Sequence, residues 1–160
     1  MNKKQIINDI LTHLAHELAA IKAAANNAHL AATDDQSVAE TQYDTLAIEA
    51  SYLAEGQSRR VTEIQQAKQA IEQLVIRDFQ EEMPIALGAL VQITHKSNNN
   101  KWFFIAPAAG GFRGVLNEQY YTVITPSAPL SKALVGRFIG DDIELMVGVN
   151  KQVSEIITVY

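Results

Sequence analysis

The sequence predicts an α+β fold: an N-terminal antiparallel coiled-coil hairpin followed by a C-terminal antiparallel β domain with one short helix. Composition is the first observation. Up to about residue 80 alanine is nearly everywhere, Gly56 is the single glycine and there is no proline, which favours helix. The rest holds the other glycines, all four prolines, the only Trp and most of the aromatics, which favours short strands and turns. The second observation is periodicity. Ile7, Leu11, Leu14, Leu18, Ile21, Ala25, Ala28 and Ala32 follow one another at intervals of four and three, a heptad seam.

The first helix spans about residues 3–32, roughly 45 Å at 1.5 Å per residue. Its seam turns to alanine alone toward residue 32, which predicts close helix approach and a slender tip. A polar stretch follows, Thr33-Asp34-Asp35-Gln36. The second seam is Leu46, Ala50, Leu53, Gln57, Arg60, Ile64, Ala67, Ile71 and Leu74, interrupted at its centre by Gln57 and Arg60. Ser37-Val38-Ala39-Glu40 reads as a capping box for this helix, with Thr33 to Gln36 a weaker competitor. Two seams of similar length joined by a short polar turn make an antiparallel hairpin with its tip near 33–44.

Asp78 to Pro84 is the joint, because Pro84 discourages helix in the residue before it. The domains are therefore 1–78 and 79–160. Beyond the joint, strands are expected at Ala89–Thr94, Trp102–Ala106, about Gly114–Leu116, Tyr120–Thr125, Ile143–Val149 and Ile156–Val159. Ser97-Asn98-Asn99-Asn100 and Gly110-Gly111 supply turns. Pro129 opens a short helix through Val135, which Gly136 ends.

Composition sets bounds on function. With 13 Lys+Arg against 18 Asp+Glu the net charge is −5, so the molecule as a whole does not attract phosphates. Cysteine is absent, which excludes disulfides and thiolate chemistry and suits a reducing cytoplasm. No secretory signal and no membrane span is expected. The usual catalytic patterns are missing as well. There is no GxxxxGK[ST], and Gly110-Gly111-Phe112-Arg113-Gly114 reads as a turn. His13 and His16 share a helix face without forming a zinc motif. No serine stands in a GxSxG setting. Trp102-Phe103-Phe104 reads as alternating core rather than a base-stacking platform, and Arg59 and Arg60 as solvated or snorkelling along the hairpin.

One cluster rises above that background: Asp34, Asp35, Glu40 and Asp44, at the narrow end of a long projection. Acids at a helix N-terminus are also what the helix dipole favours, and Glu40 already has a capping role. Carboxylates at the end of a rod would equally suit a Mg²⁺ ion inside a partner's active site, since Mg²⁺ takes one or two carboxylates plus substrate phosphates.

The stretch Thr125-Pro126-Ser127-Ala128-Pro129-Leu130-Ser131-Lys132-Ala133-Leu134-Val135-Gly136-Arg137-Phe138-Ile139-Gly140-Asp141-Asp142 resembles the signature of bacterial GreA/GreB-type transcription elongation factors. Their pattern is an S-P-[LIM]-x-x-A-[LI] helix followed by G-[KR]-x-x-G-D before a strand. The long hairpin, Glu55-Gly56 followed by a basic stretch, and the domain order agree, so the resemblance covers essentially the whole chain. It implies an FKBP-like C-terminal domain that docks on the rim of the secondary channel of RNA polymerase. The coiled coil then reaches the catalytic centre, where tip acids help hold a second Mg²⁺ and the polymerase cleaves the 3′ end of a backtracked transcript.

Carried over residue by residue, the polymerase contacts fall on Ser127, Ala128 and Pro129, with Leu130 beside them. Of the shared Mg²⁺ ligands, Glu40 falls on the family's tip glutamate, and Asp35 is the neighbouring carboxylate put forward as the second. The factor would have no catalytic residue and no cofactor of its own, would touch the RNA 3′ end only indirectly, and would be a cytoplasmic monomer. The family's active tip reads D-x-x-E-N-A-E-Y, whereas this chain has Ser37-Val38-Ala39-Glu40-Thr41-Gln42-Tyr43. Glu40 matches, Ser37 replaces the aspartate, and Tyr43 sits one residue early. Two outcomes stay open: Asp34, Asp35 or Asp44 compensates, or the factor occupies the channel and regulates or inhibits polymerase without cleavage. An FKBP-type prolyl isomerase and a coiled-coil adaptor unrelated to polymerase are the rival classes.

Overall fold

The computed structural model describes residues 2–33, 43–95, 99–148 and 150–160, with side chains throughout except at 28–33, 43–55, 95, 99 and 147. Two long helices come first, α1 at Lys3–Thr33 and α2 at Tyr43–Glu72. They run antiparallel: Leu14 and His13 lie beside Ile64 and Ala67, while farther out Ile21, Lys22 and Ala25 flank Gln57, Ser58 and Val61. The expected helix 3–32 is matched to within a residue. The Ser37–Glu40 capping box and the tip lie outside the described residues.

The two seams do more than pair with each other. Ile6, Ile10 and Leu14 on α1 and Ile64 and Ile71 on α2 are buried in a cluster that also contains Leu90, Trp102, Phe104, Leu116, Tyr121 and Val123 of the sheet. Ile7, Leu11, Leu18 and Ile21 lie partly buried along the helix–helix line. The root of the hairpin is thus cemented to the sheet, and alanine takes over only beyond it. Period-3.6 spacing supplies both stripes, because i, i+4 and i, i+3 neighbours share a face.

The six strands are β1 (Leu90–His95), β2 (Asn99–Ile105), β3 (Arg113–Leu116), β4 (Gln119–Ile124), β5 (Asp142–Val147) and β6 (Asn150–Val159), and α3 (Pro129–Leu134) lies between β4 and β5. They form one sheet in the order β3-β4-β2-β1-β6-β5. An all-antiparallel sheet was expected, and four of the five neighbouring pairs are antiparallel. The correction is β2 with β4, which pair in parallel, Trp102 opposite Tyr121 and Phe104 opposite Val123. The chain leaves β2, passes outward to lay down β3 at the edge, and returns by a tight turn so that β4 fills the slot between them. Asn117 and Glu118 form that turn with φ of 50° and 63°, the doubly positive conformation that matches strand twist in a two-residue hairpin.

Strand alternation sends Val91, Ile93, Ile105, Ile124, Ile143, Ile156 and Val159 to the opposite face, where they pack with Ile85 and Leu134 of α3. Trp102 and Phe104 are core on the hairpin face, while Phe103 is half-buried against the other cluster. β6 begins at Asn150, six residues before the strand expected from its apolar end. Its first half carries polar residues whose strand state comes from pairing with β5.

Candidate functional site

The loop before α3 is built from short polar and proline residues that leave it projecting. Ala128 N–H donates to the Thr125 carbonyl at 2.9 Å, closing a turn over Pro126 and Ser127. The hydroxyls of Thr125 and Ser127 are hydrogen-bonded at 3.1 Å. Pro129 takes the first helical position, where a missing N–H costs nothing. Pro126, Ser127 and Pro129 are exposed. Ala128 and Leu130 are half-buried against the cluster beneath, and Leu134 is fully buried. The four residues expected to meet a partner are therefore contiguous, two facing solvent and two rooted in the core.

The glycine–aspartate motif that follows has a structural task. Gly136 and Gly140 have φ of 81° and 87°, values that L side chains rarely adopt. The Asp141 carboxylate, just after Gly140, accepts the Phe138 N–H at 2.9 Å. Gly140 N–H donates to Ile156 and Ile156 N–H donates back to Asp141. The motif thus ties the exit of α3 to Ile156 of β6 and, through Gly136 and Arg137, to Ile85.

The tip carboxylates are a different matter. Asp34, Asp35 and Glu40 lie outside the described residues, and Asp44 is placed only as part of the first turn of α2. Among the described residues no group of His, Asp and Glu could hold a metal ion. His13 instead stacks on Phe112, ring centroids 4.7 Å apart.

The root of the hairpin is where polar residues set aside in the sequence come together. Arg60 is not simply solvated: its guanidinium bonds Glu17 on α1 across the seam, and Glu63 on its own helix at 3.0 Å. Both carboxylates push its pKa up and hold it charged. An open cleft of about 850 Å³ lies here between the helices and the Ala109–Arg113 loop, lined in part by His13, Glu17, Arg60, Gly110 and Phe112. Tyr121 extends from β4 and donates to the Asp9 carboxylate at 3.1 Å. Burial, then the nearby Asp9 charge, pushes the phenol pKa up. At the other side of the root, Lys3 lies 4.9 Å over the Phe79 ring and donates to the Arg77 carbonyl. Burial lowers its pKa, opposed by Asp78. The glycine pair and the seam arginine signalled these contacts only as a turn and as an interruption. Their partners lie across the helix pair or in the other half of the chain.

The geometry defines a class: a two-helix arm rooted on a mixed sheet, with an exposed Pro-Ser-Ala-Pro loop on the sheet's far side. The chain is similar to the GreA factor homolog 1 (Gfh1) protein of Thermus thermophilus at 17% identity, 94% of each chain being covered, with a TM-score of 0.39. It is similar to Thermus aquaticus Gfh1 at 15% identity, over 93% of this chain and 92% of that one, with a TM-score of 0.40. A third similarity is to the transcription elongation factor GreA/GreB from Nitrosomonas europaea, at 20% identity over 60% of this chain and 78% of that one, with a TM-score of 0.35. No protein-family model and no characterised protein sequence matches the chain. No described helix is long and apolar enough to cross a membrane.

Proposed function

We propose that this chain is a Gre-type transcription elongation factor that binds RNA polymerase at its secondary channel. The observation that carries the reading is one of placement. The signature Thr125–Asp142 folds into an exposed loop, a short helix and a glycine–aspartate turn on a sheet that also roots helices of 31 and 30 residues. In this reading Ser127, Ala128, Pro129 and Leu130 meet the channel rim, and the arm projects inward. The chain supplies reach and aim; bond cleavage belongs to the polymerase. Among the described side chains of the arm, the fully buried ones end at Leu14 on α1 and Ile64 on α2, with Leu18 and Ile21 partly buried beyond.

Within this proposal, Glu40 and Asp35 would offer oxygen ligands to a Mg²⁺ ion held by the polymerase, the hard-cation chemistry that carboxylates suit. A second reading is favoured by one specific feature, Ser37 in place of the family's tip aspartate: the factor enters the channel and regulates polymerase without cleavage. A backtracked-complex assay separates them. Mg²⁺-dependent shortening of the transcript by wild type, lost in Glu40→Ala or in Asp34→Ala/Asp35→Ala, supports a cleavage factor. Binding without shortening supports the second reading, and absence of polymerase binding refutes both.

A further inference from the structure

The hairpin root and α3 cover opposite faces of the sheet, and the covered areas are offset: the α3-side cluster centres on β1, β5 and β6 and takes from β2 and β4 only Phe103, Ile105 and Ile124, toward their C-terminal ends. On the α3 face, the part formed by β3, β4 and the start of β2 stands open to solvent. Tyr120 is 77% exposed there and Val115 47%, with Lys101 and Arg113 also exposed. Register places these residues in two rows across three strands. Val115 pairs with Tyr120, and Lys101, one residue before the Trp102–Tyr121 pair, continues the parallel β2–β4 register toward Tyr120. Arg113 pairs with Thr122, which is opposite Phe103; it stands on the edge strand, where it also borders the cleft at the hairpin root. Neighbouring strands are about 4.8 Å apart, so the two cations flank the tyrosine at roughly one to two strand spacings.

The charge on this quarter contrasts with the rest of the molecule. Neither row contains a carboxylate, although the protein carries −5; the closest in sequence is Glu118, in the turn beside Tyr120. Among the described residues Lys101 and Arg113 have no ion-pair partner, whereas Lys151 at the other end of the sheet is paired with Glu144 at 2.7 Å. Cores of protein–protein interfaces favour Tyr and Arg but are depleted in lysine, and here a lysine stands in the same row as the exposed ring. An exposed ring between unpaired cations instead suits a polyanion with flat faces to stack.

We propose that this quarter of the sheet binds single-stranded RNA, a base stacking on Tyr120 while Lys101 and Arg113 take the phosphates on either side. Recognition of this kind is tolerant of sequence, because every base offers a π-face. The site is independent of the polymerase reading and uses none of its residues.

The test is fluorescence anisotropy of a labelled short oligouridylate titrated with the full chain at low salt. Wild type binds, with a log–log salt slope near about −1.4, as expected for two phosphates on a single strand. Tyr120→Leu, which keeps a strand-compatible apolar side chain, weakens binding by about fivefold or more. Lys101→Gln/Arg113→Gln flattens the slope toward zero, and it carries the test alone if circular dichroism shows Tyr120→Leu unfolded. The proposal is overturned if wild type gives no anisotropy change, if the folded variants bind as wild type does, or if a polyglutamate peptide displaces the RNA with equal potency. That last result would mark a docking surface for acidic protein.

Discussion

At the residue scale, Tyr121 ties the sheet to the helical arm. Its hydroxyl reaches Asp9 on α1 because Gly114, its cross-strand partner, has no side chain. A Cβ at Gly114 would collide with the Tyr121 ring and hydroxyl. Gly114→Ala is therefore expected to lower the melting temperature more than Tyr121→Phe, which removes one hydrogen bond worth about 1 kcal/mol. Differential scanning calorimetry on both variants checks the order. Tyr121 also predicts a pH effect. Its folded pKa is raised above the ordinary 10.0, so above that pH the unfolded chain loses the proton first and binds fewer protons than the native state. Stability then falls as pH rises past 10. The Lys3 shift has the opposite sign: its folded pKa is lowered, so stability rises with pH in the window just below 10.5. Tyr121→Phe should flatten the alkaline decline in denaturant titrations above pH 10. An unchanged decline would show that the phenol does not control it.

At the element scale, the helices are anchored near the root. Ile10 is fully buried between α1 and the sheet, and Ile10→Ala should cost about 2–5 kcal/mol, the range for large-to-small core changes. Glu17→Ala breaks a bridge whose arginine is half exposed, and should cost under about 1 kcal/mol because water screens it. Urea unfolding of the two variants separates the contributions. Most elements were legible from residues alone, because helical period, β-branched runs and Pro/Gly punctuation are local signals. The parallel β2–β4 pair was not, since alternation in Trp102–Phe104 and Tyr121–Val123 is the same for either partner direction. The Asn117-Glu118 turn was missed for a related reason: glutamate rarely marks a positive φ. The polar first half of β6 gave no apolar alternation to read. Of the candidate site, the helix start at Pro129 was legible from the residues, and the loop before it was picked out as a contact surface only through the resemblance carried by the motif around it. The Arg60–Glu17 and Tyr121–Asp9 contacts were not, because residues that meet across the fold leave no spacing in the chain.

At the scale of the whole molecule, two attachment points set what the arm can do. Ile6, Ile10, Leu14, Ile64 and Ile71 fix its root to one face of the sheet. The 125–130 loop presents itself beside α3, which packs on the opposite face. A partner gripping that loop would hold the arm in a defined direction, so the docking loop and the tip should be separable by mutation. Loop changes are expected to weaken binding to polymerase, while Glu40→Ala should leave binding intact and affect only what the tip does. The most direct measurement is competition for RNA polymerase between this chain, fluorescently labelled, and an authentic Gre factor. The account predicts mutual displacement, with Ser127→Ala/Pro129→Ala weakening the labelled chain by tenfold or so, about 1.4 kcal/mol, and Glu40→Ala binding as wild type. Failure of the labelled chain to bind polymerase, or binding that a Gre factor cannot displace, would contradict it.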